Sequence, residues 1–213
     1  RAADNLIAVA YLNAVGGQDE LVFDGGTMVF DAEGELIARG PQFEEALVVV
    51  DIDIDAVSQR RLHDPRRRGE LRDREPAIAV ENVPVAIPLS SVDAQSLVTP
   101  VAPVLGPAEE AWRALVLATR DYMRKTGFTQ ALIGVSGGID SSVVAAVAAD
   151  AIGPERVIGV AAPSRYSSQH SQADARHLAA RLGIRYLTIP IESAHAAMLE
   201  MLADAFEGAD PGT

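Results

Sequence analysis

The spacing of apolar and polar residues divides the chain into regions of different periodicity. Up to about residue 55, short apolar runs that partly alternate with polar residues predict β-strands, separated by glycine-containing corners. These runs are NLIAVAYLN, TMVF, ELIAR and ALVVVDID, at residues 5–13, 27–30, 35–39 and 46–53. From about residue 107 onward, helical stretches alternate with short apolar runs. Such alternation predicts an α/β fold with a parallel sheet and right-handed crossovers.

The helix that opens the later region has recognisable start and stop residues. Pro107 lies near its first position, and Gly127 is a favourable residue just past its last turn. The elements expected after it are a strand at 131–135, a helix at 141–152, a strand at 156–162, a helix at 171–183, a strand at 185–191 and a helix at 193–206. We therefore predict three parallel strands with helices between them.

The segment between these regions, residues 56–106, differs in composition from both. It opens with the charged run RRLHDPRRRGELRDREP and continues with many prolines. Because proline sustains neither a helix nor a central strand, we predict an extended inter-domain connector. The arginines between Arg60 and Arg74 offer an anion site, but the aspartates and glutamates among them favour a solvated, self-neutralising linker.

Composition and charge narrow the class of protein. The 213 residues are 48% hydrophobic and 23% charged, which is ordinary for one or two globular domains. The apolar runs are shorter than a membrane helix needs, and the net charge of −12 opposes binding to nucleic acid or anionic membrane. The lack of cysteine excludes disulfides and thiolate chemistry within these residues and fits a cytoplasmic location. We expect neither nucleic acid nor membrane as a partner.

The stretch GVSGGIDSS, residues 134–142, lies between a predicted strand and a predicted helix. Glycines allow a sharp turn and a close approach of the backbone to a ligand, and the first amides of a helix are unpaired donors backed by a positive dipole. Such a site suits phosphate, and serine hydroxyls add further donors. The candidate residues are Gly134, Val135, Ser136, Gly137, Gly138, Ile139, Asp140 and Ser141, with Ser142 as an additional contact.

Asp140 and the missing lysine set this loop apart from a Walker-type loop. The only lysine, Lys125, lies in RKTGF, away from the glycines. A carboxylate repels phosphate unless a cation lies between them, so we predict that Asp140 binds Mg²⁺ shared with a polyphosphate. The β- and γ-phosphates would then be held together and the α-phosphorus left open to attack. The alternative is that Asp140 or Ser141 only caps the helix.

The loop and the residues after it resemble a known family. SGGIDSS resembles the pyrophosphatase loop of the N-type ATP pyrophosphatases, which cleave ATP between its α- and β-phosphates. RDYMRKTGFTQALIGVSGG and VIGVAAPSRYSSQHSQADARHLAARLGIRYLTIPI are similar to the blocks before and after this loop in NAD synthetases. Ala162 departs from the methionine that the resemblance leads us to expect, a detail of the adenine pocket.

The N-terminal region carries a second resemblance. YLNAVGGQDELVFDGGTMVFDAEGELIARGPQFEE is similar to the late part of the nitrilase-like glutaminase domain of glutamine-dependent NAD synthetases. The combination implies an α/β chain, incomplete at both ends. Its expected parts are the C-terminal portion of a nitrilase-like αββα sandwich (1–55), a linker (56–106), and the first half of a doubly wound parallel-sheet ATP pyrophosphatase domain (107–213).

The resemblance also implies a reaction. Members of the family amidate deamido-NAD to NAD through an acyl-adenylate, with ATP as co-substrate, Mg²⁺ as cofactor and ammonia released from glutamine. We expect a carbon-nitrogen ligase of this kind, homo-oligomeric, in the parent protein, with the 213-residue chain inactive alone. The alternatives are another amidotransferase of the same loop family, such as GMP synthetase, and a truncated, non-catalytic assembly module.

The resemblance assigns no definite role to several polar residues. The family's glutaminase uses a Glu-Lys-Cys triad that the composition excludes here, so Gln18, Asp19 and Glu20 are expected to line a pocket or support the fold. Arg165 and Ser168 follow a strand end and are candidate nucleotide contacts, with capping of the next helix as the equal alternative.

Overall fold

The computed structural model describes residues 1–65, 83–84 and 101–206. The chain divides into two compact units. The first comprises Arg1–Val15 and Phe23–Leu105, and the second comprises Gly16–Val22 and Gly106–Thr213.

The first unit contains a small antiparallel sheet. Helix α1 (Ala2–Asn5) precedes strand β1 (Val9–Tyr11), which pairs with β4 (Met28–Phe30), and β4 pairs with β5 (Leu36–Arg39). The turn between β4 and β5 forms because the Asp31 carboxylate accepts the backbone N–H groups of Glu33 and Glu35, at 3.0 and 2.9 Å. Strands β1, β4 and β5 lie in three of the four runs predicted as strands in this region, and those three predictions are confirmed.

Two predictions around residue 50 are wrong. Residues 46–53 form no strand, and Arg39 of β5 bridges Val101 instead. Helix α2 (Ile54–His63) occupies the start of the segment predicted as an extended connector. Asp53 starts this helix by accepting the N–H of Ala56 at 2.8 Å, and no proline lies between Asp53 and Pro65. The arginines and prolines after residue 65 lie largely outside the described residues.

One short hairpin was not predicted from the sequence. Strands β2 (Val15–Gln18) and β3 (Leu21–Asp24) are joined by two residues, of which Asp19 has the left-handed φ of 52°. Consecutive glycines in β2 hid the apolar alternation that signals a strand. The Gly16–Val22 part of this hairpin belongs to the second unit.

The second unit confirms the predicted alternation of helices and parallel strands. Its elements are α3 (Pro107–Thr126), β6 (Ala131–Gly134), α4 (Ile139–Ile152), β7 (Val157–Ala161), α5 (Gln169–Leu182), β8 (Arg185–Thr188) and α6 (Glu192–Leu202). Two 3₁₀ turns add Pro154–Arg156 and Asp204–Phe206. The strands lie side by side in the order β6-β7-β8, all parallel. Helix α3 ends at Gly127 with φ 78°, as expected.

The core of the second unit is built from small side chains. Val135 and Val157 are fully buried, and Ala145 of α4 and Ala175 and Ala179 of α5 pack against them. Alanines at these positions let both helices approach the sheet closely. The first turns of α4 and α5 lie at the same edge because each helix follows one of two parallel strands. Within the described ranges, every helix is too short or too polar to span a bilayer.

Candidate functional site

The glycine loop connects the end of β6 to the start of α4 and has one strained position. Gly137 has a φ of 86°, in the left-handed region. A Cβ built on it would lie 2.2 Å from the carbonyl oxygen of Ser171, in the first turn of α5. Gly138 adopts ordinary extended backbone and is the N-cap of α4. The loop is therefore packed against the next helix so tightly that only glycine fits at residue 137.

The serine hydroxyls of the loop form hydrogen bonds to its own backbone. Ser141 Oγ accepts the N–H of Ser136 at 3.3 Å and donates to the carbonyl of Gly138 at 3.0 Å. Ser142 Oγ donates to the same carbonyl at 2.7 Å. The N–H groups of Ile139, Asp140 and Ser141 meet no acceptor among the described residues. Three unpaired amides at the positive end of α4 form a donor set for an anion.

Asp140 is the second residue of α4, and its side chain is exposed. Gly138 is the N-cap of α4 and the helix has no side-chain cap hydrogen bond, so neither Asp140 nor Ser141 is the capping residue. Asp140 lies in the first turn, where its charge favours the positive end of the helix. No hydrogen bond or ion pair engages the Asp140 carboxylate within the part of the chain that is described. No group of three acidic, histidine or cysteine side chains gathers there as a metal site either. A single free carboxylate beside unpaired helix amides fits Mg²⁺, which proteins hold with one or two carboxylates plus phosphate oxygens, and Asp140 as its ligand stays a prediction.

A cavity of about 300 Å³ opens beside the loop. The loop contributes Gly134, Val135 and Ser136, β7 and the residues after it contribute Val160, Ala161, Ala162 and Pro163, and α5 with its approach contributes Ser167, Ser171, Gln172 and Ala175. Its volume is at the lower end of the range for small-molecule sites, roughly 300–1,000 Å³. Ala162, which departs from the expected methionine, lies in this wall.

Arg165 and Ser168, the two candidates after β7, each have a partner within the protein. The Arg165 guanidinium donates to Glu192 Oε1 from Nε at 2.7 Å and also from Nη2, and its backbone N–H reaches Oε2 at 3.1 Å. The hydrogen bond from Arg165 lowers the pKa of Glu192, and the same bond with the nearby charge raises the pKa of Arg165. Ser168 caps α5 by accepting the N–H of Ser171 at 3.0 Å. The capping role is present for Ser168, and a nucleotide contact by either residue stays a prediction.

Comparison with known proteins matches both regions of the chain to families. Residues 111–210 match the NAD synthase family, and residues 1–62 match the carbon-nitrogen hydrolase family. The glutamine-dependent NAD(+) synthetase of Thermotoga maritima is 45% identical over 99% of this chain, and that of Aquifex aeolicus is 45% identical over 92%. The chain belongs to the glutamine-dependent NAD(+) synthetase family.

A solved member of the family agrees in fold. The glutamine-dependent NAD+ synthetase from Acinetobacter baumannii, solved in complex with ADP, is 30% identical over 99% of this chain with a TM-score of 0.76. The chain spans about a third of its relatives' length: 36% of the Thermotoga protein, 34% of the Aquifex protein and 33% of the Acinetobacter chain. The expected fold class, parts of a nitrilase-like domain and of a pyrophosphatase-loop domain, is confirmed for this family member.

Three residues at the site were missed from sequence. Ser171 and Gln172 of α5 line the cavity, and Glu192 at the start of α6 holds Arg165. Ser171 and Gln172 lie three and four residues after the helix-capping Ser168, so a search of the first turn of α5 finds them. Glu192 lies 27 residues from Arg165, and no local pattern joins the two.

Proposed function

We propose that this chain forms part of an enzyme that converts deamido-NAD to NAD, using ATP and ammonia released from glutamine. The observation that carries the proposal is the donor set at residues 139–141, which begins α4 next to the cavity lined by Gly134, Val135 and Ser136. Free amides suit a polyphosphate, and a largely apolar cavity adjoining them suits the base and sugar of the same nucleotide. Membership of the NAD synthetase family supports a reaction in which such a site binds ATP.

In the proposed mechanism, the loop holds ATP so that its α-phosphorus faces deamido-NAD. The amides of Ile139, Asp140 and Ser141 bind the departing pyrophosphate portion, and the positive end of α4 stabilises the charge that develops there. The hydroxyls of Ser141 and Ser142 keep the Gly138 carbonyl turned away from this anion by donating to it. Asp140 is the residue that would hold Mg²⁺, and the ion would neutralise phosphate charge when bound.

The proposed reaction has two bond-forming steps. The nicotinate carboxylate oxygen bonds to the α-phosphorus as the bond to the β-phosphate oxygen breaks, which yields an acyl-adenylate and pyrophosphate. Ammonia then attacks the acyl carbon, loses a proton, and displaces AMP to give the amide of NAD. The described residues contribute mainly positioning and charge stabilisation to the first step. A homo-oligomeric state stays a prediction.

The test is exchange of labelled pyrophosphate into ATP by the full-length protein that contains this chain. We expect exchange that depends on deamido-NAD and falls by about 100-fold or more in Asp140→Ala. Glu155→Ala, which removes an exposed carboxylate outside the loop, is the matched control and should keep its rate.

Each other outcome has a definite meaning. Exchange that requires xanthosine monophosphate instead of deamido-NAD would assign the protein to the GMP synthetase reaction. A wild-type protein that exchanges with neither substrate would support the non-catalytic assembly module. Retained exchange in Asp140→Ala would remove the metal role of that residue while leaving the reaction intact.

A further inference from the structure

Asp121, near the end of α3, is the charged residue that the described part of the chain buries, with 6% of its surface exposed. Its Oδ2 accepts the N–H of Gly17 at 2.9 Å, and its Oδ1 lies 3.0 Å from the Arg124 guanidinium. A buried carboxylate is costly unless donors satisfy it. The donors at Asp121 are a cation on its own helix and one backbone amide 104 residues away in sequence.

Lys125, one helical turn after Asp121, binds the same part of the hairpin. Its ammonium donates to the carbonyl of Gly17 and, at 3.1 Å, to the side-chain oxygen of Gln18. Residues four apart lie on one helix face, so both side chains reach the same glycine. Asp121 accepts the N–H of Gly17, and Lys125 donates to its carbonyl. Lys125 is also the only lysine in the sequence. We call this set of contacts, by Asp121 and Lys125 on Gly17 and Gln18, the hairpin clamp.

Glycines in the hairpin allow this close approach to the helix. A Cβ on Gly17 would lie 2.9 Å from the Cα of Ala118, and one on Gly16 would lie 3.0 Å from the Asp121 carboxylate. Gly16 also has a φ of 144°, which disfavours any other residue. The hairpin backbone therefore rests directly on the helix backbone, and the polar contacts fix its register.

The clamp joins two stretches of the chain that match two different protein families. Gly17 and Gln18 lie in the stretch that matches carbon-nitrogen hydrolases, whereas Asp121 and Lys125 lie in the stretch that matches NAD synthases. Gly16–Val22 is nevertheless part of the same compact unit as α3. Helix α3 is followed directly by β6 and the glycine loop, so the hairpin is anchored to the element that leads into the candidate ATP site.

We propose that Asp121 and Lys125 are positioning residues that couple glutamine use to NAD formation by holding the Gly16–Val22 hairpin on α3. This inference rests on the proposed function. Loosening the clamp is expected to leave the glycine loop intact and to let the hairpin move independently of it. Glutamine would then be hydrolysed without a matching yield of NAD.

The experiment measures two quantities on the full-length protein that contains this chain. The first is hydrogen–deuterium exchange in peptides covering residues 13–22. The second is the ratio of glutamate released to NAD formed with glutamine, ATP and deamido-NAD. The variants are Lys125→Met, which keeps the length of an exposed side chain, and Asp121→Leu. The matched control is Arg120→Met on the same helix, because Arg120 makes no hydrogen bond or ion pair among the described residues.

We expect both variants to exchange faster at the hairpin, with Arg120→Met unchanged. Asp121→Leu removes one hydrogen bond to the hairpin and Lys125→Met removes two, and each bond lost corresponds to about fivefold faster exchange. The glutamate-to-NAD ratio should rise by about threefold or more in Lys125→Met and Asp121→Leu and should not change in Arg120→Met. If Asp121→Leu is insoluble, Lys125→Met decides the question.

Two results would overturn the proposal. Unchanged exchange in Lys125→Met would show that the clamp does not hold the hairpin. Faster exchange with an unchanged glutamate-to-NAD ratio would leave the clamp as a structural feature only. A wild-type protein that forms no NAD would instead refute the proposed function, and hydrogen exchange would still decide whether the clamp exists.

Discussion

Replacing Gly137 by alanine adds one methyl group at the tightest point of the glycine loop. The φ of 86° places the residue in the left-handed region, which costs an L-amino acid about 1–2 kcal/mol. The new Cβ would lie 2.2 Å from the Ser171 carbonyl oxygen, where 3.4 Å is ordinary contact, so α5 must retreat by roughly 1.2 Å. Overpacking of this kind costs about 1–3 kcal/mol. We therefore expect Gly137→Ala to lower the free energy of unfolding of the second unit by about 2–5 kcal/mol.

Trp112 provides the assay, because it is the only tryptophan in the chain. It packs against Val116, Val147 and Ala151 in the second unit, and its Nε1 donates to Asp150 at 2.9 Å. Its fluorescence during urea unfolding of the 213-residue chain therefore reports on this unit. At a slope near 2 kcal/mol/M, the expected loss lowers the midpoint by roughly 1–2.5 M.

Gly134→Ala is the matched control in the same loop. A Cβ on Gly134 meets nothing within 4 Å, and its φ is not in the left-handed region. Its midpoint should stay the same or rise slightly, since alanine restricts the unfolded chain. A midpoint for Gly137→Ala no lower than that of Gly134→Ala would refute the argument from strain and contact with α5.

Two further predictions concern the residues after β7. Ser168→Ala should lower the free energy of unfolding by about 1 kcal/mol because it removes the cap of α5, whereas Ser168→Thr should keep most of the stability; equal urea midpoints for the two variants would contradict this. Arg165→Gln should raise the pKa of Glu192 back toward its ordinary range, measured by carboxyl-carbon NMR titration, and an unchanged pKa would show that Arg165 is not its cause. Because the pKa of Glu192 is lowered in the folded chain, the pair stabilises the fold above the carboxyl's unfolded pKa. That contribution is lost as the pH falls through the folded pKa.

Local signals in the sequence were sufficient for most of the second unit. Proline at the start of α3 and Gly127 at its end act within a single helical turn, so the sequence shows both ends of the helix. The three parallel strands follow from apolar runs between helical stretches. The position of the glycine loop, between a strand and a helix, was predictable for the same reason, and the structure places it there.

Tertiary contacts decided the features that local signals do not encode. Residues 46–53 have the composition of a strand but form none in the structure, because a strand exists only where it pairs with a neighbouring strand. The requirement for glycine at residue 137 comes from the carbonyl of Ser171, and the partner of Arg165 lies on α6, 27 residues away. The hairpin belongs to the second unit, where Gly17 is bound by Asp121 and Lys125, more than 100 residues away in sequence. Periodicity reports which face of an element is apolar, but only the packed fold determines which distant backbone group each side chain meets.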